Sequence, residues 1–302
     1  FYTQKKLDHS FSFWGDYRVC SCFCRDTSML ELSLVFIAPL VGGLLYGFER
    51  VVRARMQNRQ GPPLLQPFYD MFKLMDKQAF IIHPYHTILA ILHFITLWGV
   101  VALIIFGGNL LYAVFLHLLS SLLLVTAGYS VRSIYSHIGA NRELLSIVAY
   151  EPILILLSVC FYLLYGSFEL TNIRETSSAF VDLLPIFIAF LLIVPIKLKK
   201  SPFDAAEAHQ EIVGGVEIEY SGIFFEFLYM AKWLEYIFIY LLLFLFAGEN
   251  LLFGFALGVF LFLVLNLVDN ATARVRIDHL LKIVIGAGLF LAVINVLGLS
   301  YV

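Results

Sequence analysis

The sequence predicts an all-α fold: a polytopic membrane protein of about eight transmembrane helices with cytoplasmic amphipathic helices between them. Three observations predict it. The chain is 61% hydrophobic and 14% charged, with mean hydropathy +0.87, where a soluble domain carries about 25% charged residues. The apolar residues gather into runs near the roughly 20 residues that cross a bilayer. The basic residues then fall mainly in alternate loops, the pattern of a chain threaded back and forth through a membrane.

Residues 1–28 are mixed and aperiodic. They carry no signal-peptide pattern, and no function is assigned to this tail. Residues 29–302 read as a single transmembrane helical domain, with cytoplasmic loops at 49–87 and 199–226. The expected spans are 30–48, 88–106, 110–130, 145–165, 180–198, 227–247, 250–268 and 283–300. In the first, Gly43 and Gly47 form a G-x-x-x-G pair that would let another helix approach closely, though glycine is common enough in such helices for the pair to be chance.

The loop after the first span is basic, with Arg50, Arg53, Arg55 and Arg59, and turns at Gly61-Pro62-Pro63. Phe68, Met71, Phe72 and Met75 then recur at i, i+3, i+4 and i+7, with Asp70, Lys73 and Lys77 on other faces, which predicts an amphipathic helix at the membrane interface. Further basic residues lie between the third and fourth spans (Arg132, Arg142), the fifth and sixth (Lys197, Lys199, Lys200, with Lys232 at the boundary) and the seventh and eighth (Arg274, Arg276, Lys282). The positive-inside rule puts these loops in the cytoplasm and both termini outside.

Function is sought where charge stands in apolar surroundings. The densest stretch is SPFDAAEAHQEIVGGVEIEYSGIFFEF, from Ser201 to Phe227. Ser201, Pro202 and Asp204 make a helix start, and Gly214 and Gly215 a helix stop. Asp204, Glu207 and Glu211 would share one helical face. Glu217 and Glu219 would share one side of an extended segment. Carboxylates this close raise each other's pKa and share protons, and His209 among them is a possible relay. A solvated acidic loop is the structural alternative.

Glu143 and Glu151 stand at the start of the fourth span, with Pro152 after Glu151. Glu235 stands inside the sixth, three residues from Lys232, a spacing that allows an ion pair. A carboxylate in hydrocarbon costs several kcal/mol unless neutralised, paired or hydrated, and such groups mark ion or proton pathways. Asp278 with Arg274 and Arg276 is read as either an ion-pair cluster at a helix start or a functional group. His83, His86, His93, His117, His137 and His279 lack ligand spacing and are read as structural. Cys20, Cys22 and Cys24 alternate, which matches no metal-ligand pattern, and Cys160 is expected to be a buried apolar side chain. No metal site and no catalytic residue is assigned. A net charge of −2 argues against a nucleic-acid partner.

ARMQNRQGPPLLQPFYDMFKL, YEP, the acidic stretch through Glu235 and NATARVRIDH occur in this order over about residues 29–300. Together they resemble the membrane-anchoring subunit shared by respiratory complex I, where it is NADH dehydrogenase subunit one, and energy-converting membrane-bound NiFe hydrogenases. The loop reading AEAHQEIVGGVEIEYSG resembles the hydrogenase branch of formate hydrogenlyase, Ech and archaeal membrane-bound hydrogenases. The complex I loop typically reads AEAESELVAGY.

The resemblance implies a membrane platform in a prokaryotic plasma (inner) membrane, within a ferredoxin-oxidising, hydrogen-evolving complex. Hydrogenase-like small and large subunits of a hydrophilic arm would dock on it, and antiporter-like membrane subunits would flank it. Iron–sulfur clusters and the NiFe centre would belong to those partners, with no cofactor in this chain. It further implies a proton path through Glu143, Glu151, Asp204, Glu207, Glu211, Glu217, Glu219 and Glu235, and arm docking over Arg50, Arg53, Arg55, Arg59, Arg274, Arg276 and Asp278. The alternatives are a membrane-bound sulfane sulfur reductase subunit, the quinone-chamber subunit of complex I, and a purely structural anchor.

Overall fold

The computed structural model describes residues 16–178 and 180–301, the side chains of 16–28 and of His209 excepted. Long apolar runs in a medium without water must satisfy their backbone internally, so they form helices. The described helices are α1 (Asp16–Met56), α2 (Gln66–Asp76), α3 (Pro84–Ile105), α4 (Leu110–Tyr129), α5 (Ile134–Tyr165), α6 (Leu170–Glu175), α7 (Leu184–Lys197), α8 (His209–Ile212), α9 (Ile223–Leu245), α10 (Leu251–Ala271), α11 (Ile277–Ile283) and α12 (Phe290–Ser300). A 3-10 turn, Gly215–Glu219, precedes α9, and a π-helical turn, Val284–Leu289, joins α11 to α12 into one continuous rod.

Seven of these segments are long and apolar enough to cross a membrane: Met29–Met56, Pro84–Ile105, Leu110–Tyr129, Ile134–Tyr165, Ile223–Leu245, Leu251–Ala271 and Ile277–Ser300. The expected fifth span is α7, with only 14 residues, about 21 Å of helix, because the chain ahead of it from Phe180 to Leu183 is a turn. The helix at 145–165 instead starts eleven residues earlier, at Ile134, so Glu143 and Glu151 sit well inside it rather than at its entrance. α1 carries the apolar run from Met29 on through the basic stretch to Met56, and begins at Asp16 within what the sequence presents as an aperiodic tail.

α5 and α9 form the centre. α5 packs on α4, α7, α12 and the 3-10 turn, and α9 on α3, α1, α10 and α2. α2 is the expected interface helix: Phe72 and Met75 are exposed, while Phe68 turns inward against Trp233, with ring centroids 5.3 Å apart. The glycine pair on α1 is a true contact rather than chance. A Cβ at Gly43 would lie 2.9 Å from Phe68 Cζ and 3.0 Å from Trp233, and one at Gly47 would collide with the Leu64 carbonyl. Cys160 is buried, as expected.

Candidate functional site

The stretch from Ser201 is not the helix its pattern predicts. Residues 201–208 run as consecutive turns, α8 is a single turn of four residues, and Val213 and Gly214 are left-handed. Tertiary bonds displace the helix. The Ser201 N–H donates to Asp269 Oδ1 (3.0 Å), the Ser201 hydroxyl to the Thr272 carbonyl (2.9 Å), and the Val275 N–H to the Pro202 carbonyl (2.9 Å). Asp204, Glu207 and Glu211 therefore share no helical face. Asp204 takes a two-pronged bond from Arg274 (2.7 and 2.6 Å), and Glu211 faces solvent against Arg142 (2.7 Å). Only Glu207 points inward.

Glu217 and Glu219 also part company. The segment is a 3-10 turn, not a strand, so Glu217 is buried and Glu219 is not. The turn reaches its place because Gly139 of α5 lacks a side chain: a Cβ there would lie 2.6 Å from Gly215 Cα and 2.8 Å from Val216 N. Glu143 follows Gly139 by one helical turn, and the close approach brings it toward Glu207 and Glu217.

Those carboxylates line a cavity of about 240 Å³ at the basic-loop side of the bundle, between α1, α4, α5, α7, α9 and α10. Its lysines come from two places. Lys199 bonds Glu207 at 2.8 Å and lies 3.7 Å from Glu143. Lys232 reaches Glu207 at 3.1 Å and Glu217 at 2.8 Å. On one wall Lys200 holds Glu49 at 2.7 Å, Arg53 bridges Glu49 (3.3 Å) and Asp269 (2.5 Å), and the Tyr236 hydroxyl donates to Glu49.

The charges do not balance evenly within the loop. Burial works against a charged Glu207, but Lys199 and Lys232 outweigh it and hold its carboxyl well below the usual range. Burial, followed by the Glu207 charge beside it, pushes Glu217 up to about 7 in spite of Lys232 and Lys199. Burial disfavours the Lys199 ammonium, yet Glu143, Glu207 and Glu217 raise its pKa. The pair thus holds a proton on the Glu217 side near neutral pH, with Lys199 and Lys232 fixed as cations beside it.

Below the cavity the charge continues inward. Glu235 lines its floor and pairs with Lys197 at 3.0 Å, not with Lys232 as the spacing allowed. Lys197 also donates to the Ser121 and Tyr150 hydroxyls, at 3.0 and 3.2 Å. Ser121 is eight residues from the loop-side end of α4, about 12 Å in. His117, a further turn down and fully buried, bonds Glu151 Oε1 through Nδ1 (2.9 Å) and lies 3.4 Å from Glu235 Oε2 through Nε2. Glu151 has no basic residue near it in sequence; its partner comes from another helix. His93 is held by Ser120 (2.8 Å to the carbonyl, 2.9 Å to the hydroxyl), in keeping with a structural role.

Of the expected residues, Glu143, Glu207, Glu217 and Glu235 meet at the cavity, Asp204 lies at its rim, and Glu151 lies beyond it. Glu211 and Glu219 stand apart. The His209 side chain lies outside the described residues. Arg55, Arg59, Arg276 and Asp278 are exposed, whereas Arg50 is paired with Asp70 (3.1 Å) and Arg53 and Arg274 are turned into the ion pairs above. Asp278 makes the surface bond to Arg276 (3.1 Å). Sequence reasoning missed Glu49, Lys197, Lys199, Lys200, Asp269 and His117. The lysine triplet was visible, but read only as a topology signal. Among the described residues no group of histidines, cysteines and carboxylates is arranged to hold a metal ion.

With this geometry in place, the comparisons with known proteins are informative. The NADH dehydrogenase family model matches residues 29–300. The chain is 30% identical to a membrane subunit of NADH-quinone oxidoreductase from Brevibacillus brevis, over 89% of this chain and 92% of that one. It is 31% identical to NADH-ubiquinone oxidoreductase chain 1 of Mycosarcoma maydis, over 68% and 69%. It is 30% identical to formate hydrogenlyase subunit 4 of Escherichia coli, over 82% and 89%. In fold it is similar to a chain of the membrane-bound sulfane sulfur reductase, an archaeal respiratory membrane complex, with TM-score 0.83, 23% identity and coverage of 91% of this chain and all of that one. A polytopic helical bundle whose match spans nearly its whole length, from the first apolar run to the last, thus belongs to the NADH dehydrogenase subunit 1 family.

Proposed function

We propose that this chain is the membrane platform of a complex I-like respiratory complex, and that it couples a redox reaction in a docked soluble arm to proton translocation. The observation that carries this reading is the cavity of paired carboxylates and lysines at the basic-loop side, continued inward by Glu235 and Glu151. Buried charge on this scale is costly in a membrane and is retained where protons or ions are handled. A charge or conformational change in the arm above residues 201–226 would alter the Glu207–Glu217 proton balance through ordinary charge–charge coupling. Glu143, Glu235 and Glu151 would then reload or release protons toward antiporter-like neighbours. Exposed Arg55, Arg59, Arg276 and Asp278 are the groups best placed to receive the arm. The basic loops would face the cytoplasm of a prokaryotic plasma membrane.

The hydrogen-evolving, ferredoxin-oxidising form of such a complex is favoured by the 201–226 loop, which resembles that branch more than it does complex I. The cavity lining argues in the same direction. A quinone needs a mostly apolar chamber with a few polar groups, and this one is lined by Lys197, Lys199, Lys200, Lys232, Arg53 and six carboxylates.

The test is Glu151→Gln, which keeps size and removes the charge. In the assembled complex in vesicles it should abolish ion translocation, with electron transfer from ferredoxin largely retained. Translocation at the wild-type rate would leave only the anchoring role, in which charge-to-Ala changes in the loop reduce assembly instead. Copurifying subunits with nickel-ligating cysteines would identify the hydrogenase form, and a large subunit without them the sulfur-reducing one.

A further inference from the structure

We propose that His117 is the proton relay joining the loop-side cavity to Glu151, the link without which the two halves of the path are separate; this rests on the translocating reading above. The cavity ends at Glu235, and neither His117 nor Glu151 lines it. Among the described residues, His117 is the group bonded to both carboxylates, with Nε2 toward Glu235 (3.4 Å) and Nδ1 toward Glu151 (2.9 Å). Three different helices supply the three groups: Glu235 from α9, His117 from α4 and Glu151 from α5.

The ring is held for this position. It lies parallel to Phe238 at 4.3 Å, tilted by 13°, and edge-on to Tyr150 at 6.3 Å. The other charged group at hand is Lys197 of α7, which bonds Glu235 and not the imidazole. Beyond the relay, Glu151 Oε2 is buried and has no hydrogen-bond partner among the described residues, which leaves it as the onward acceptor. A buried carboxylate oxygen without a donor is costly if it is merely structural.

The transfer balances as follows. Protonated Glu235 gives its proton to Nε2 of the neutral ring, whose own proton sits on Nδ1. The imidazolium formed gives the Nδ1 proton to the Glu151 carboxylate. A neutral ring with its proton on Nε2 remains, and it returns to its first tautomer by rotation before the next proton. An imidazole passes protons in this way. It is not an oxygen ligand, so the link does not admit a sodium ion, which takes oxygen donors. Sodium coupling in such a complex would have to arise in another subunit.

The experiment is His117→Gln in the whole complex, reconstituted in vesicles, beside Glu151→Gln as reference. Glutamine bridges both carboxylates but carries no proton. Electron transfer should persist while translocation falls about a hundredfold or more, the range of a lost acid–base group. Wild-type translocation in His117→Gln, with Glu151→Gln inactive, overturns the relay and leaves the broader reading standing. Wild-type translocation in both overturns the broader reading. Should the variant fail to assemble, the native complex decides. Isotope-labelled histidine should show an infrared ring band that alternates between neutral and cationic forms during turnover, a signature a structural histidine lacks. Its absence overturns the proposal.

Discussion

The two halves of α9 are built from the same kind of helix and do opposite work. Toward the basic loops it presents Lys232 and Glu235 to a charged cavity. From Phe238 to Leu245 it is buried among apolar side chains, where Phe161, Phe187 and Phe190 gather around Phe246 just past its end. The division is that of the whole bundle. One end is close-packed and dry, and supplies dispersion and a fixed frame. The other holds charges that only mutual pairing keeps in place. Rigidity at one end is what lets Lys232, Glu207 and Glu217 stand within hydrogen-bond reach at the other.

The comparison breaks most visibly at the dry end. Phe246→Ala should cost about 3–5 kcal/mol, measured as lower thermal stability of the solubilised complex, with translocation per assembled complex unchanged. A loss of coupling at full stability would show that the two ends are not separable.

At the wet end, Glu217 should titrate near pH 7, seen as a protonated-carboxyl infrared band that fades as pH rises through that value and is missing in Glu217→Gln. Its folded pKa lies above the unfolded carboxylate value, so the folded chain holds the extra proton between about pH 4.5 and about 7. This group's contribution to stability falls as pH rises across that window. Lys232→Ala removes a cation that lowers the Glu217 pKa, so the band should persist to still higher pH.

The smallest effect is expected at the rim. Arg276 and Asp278 are a solvent-exposed pair, and Arg276→Ala should change stability by less than about 0.5 kcal/mol. A large fall in copurified arm subunits without loss of stability would mark the residue as a docking contact.

How much of the site was legible depends on the kind of signal. Glu143, Glu151 and Glu235 stood out because charge inside an apolar run is visible one residue at a time. Asp204, Glu207 and Glu211 were grouped by a helical period that the chain never adopts, because Asp269, Thr272 and Arg274 compete for its polar groups. Glu217 and Glu219 were grouped by a strand period in what is a 3-10 turn. His117 carried no signal at all, since its partners lie 34 and 118 residues away.

The sequence by itself determined that this is a helical membrane protein, where most of its spans lie, and which side carries the basic loops. Those follow from transfer of apolar residues and from local charge, which need no knowledge of neighbours. Only the tertiary structure decided which lysine meets which carboxylate and that a histidine stands between Glu235 and Glu151. Pairing energy between buried charges depends on distances across helices, and a linear sequence does not contain those distances.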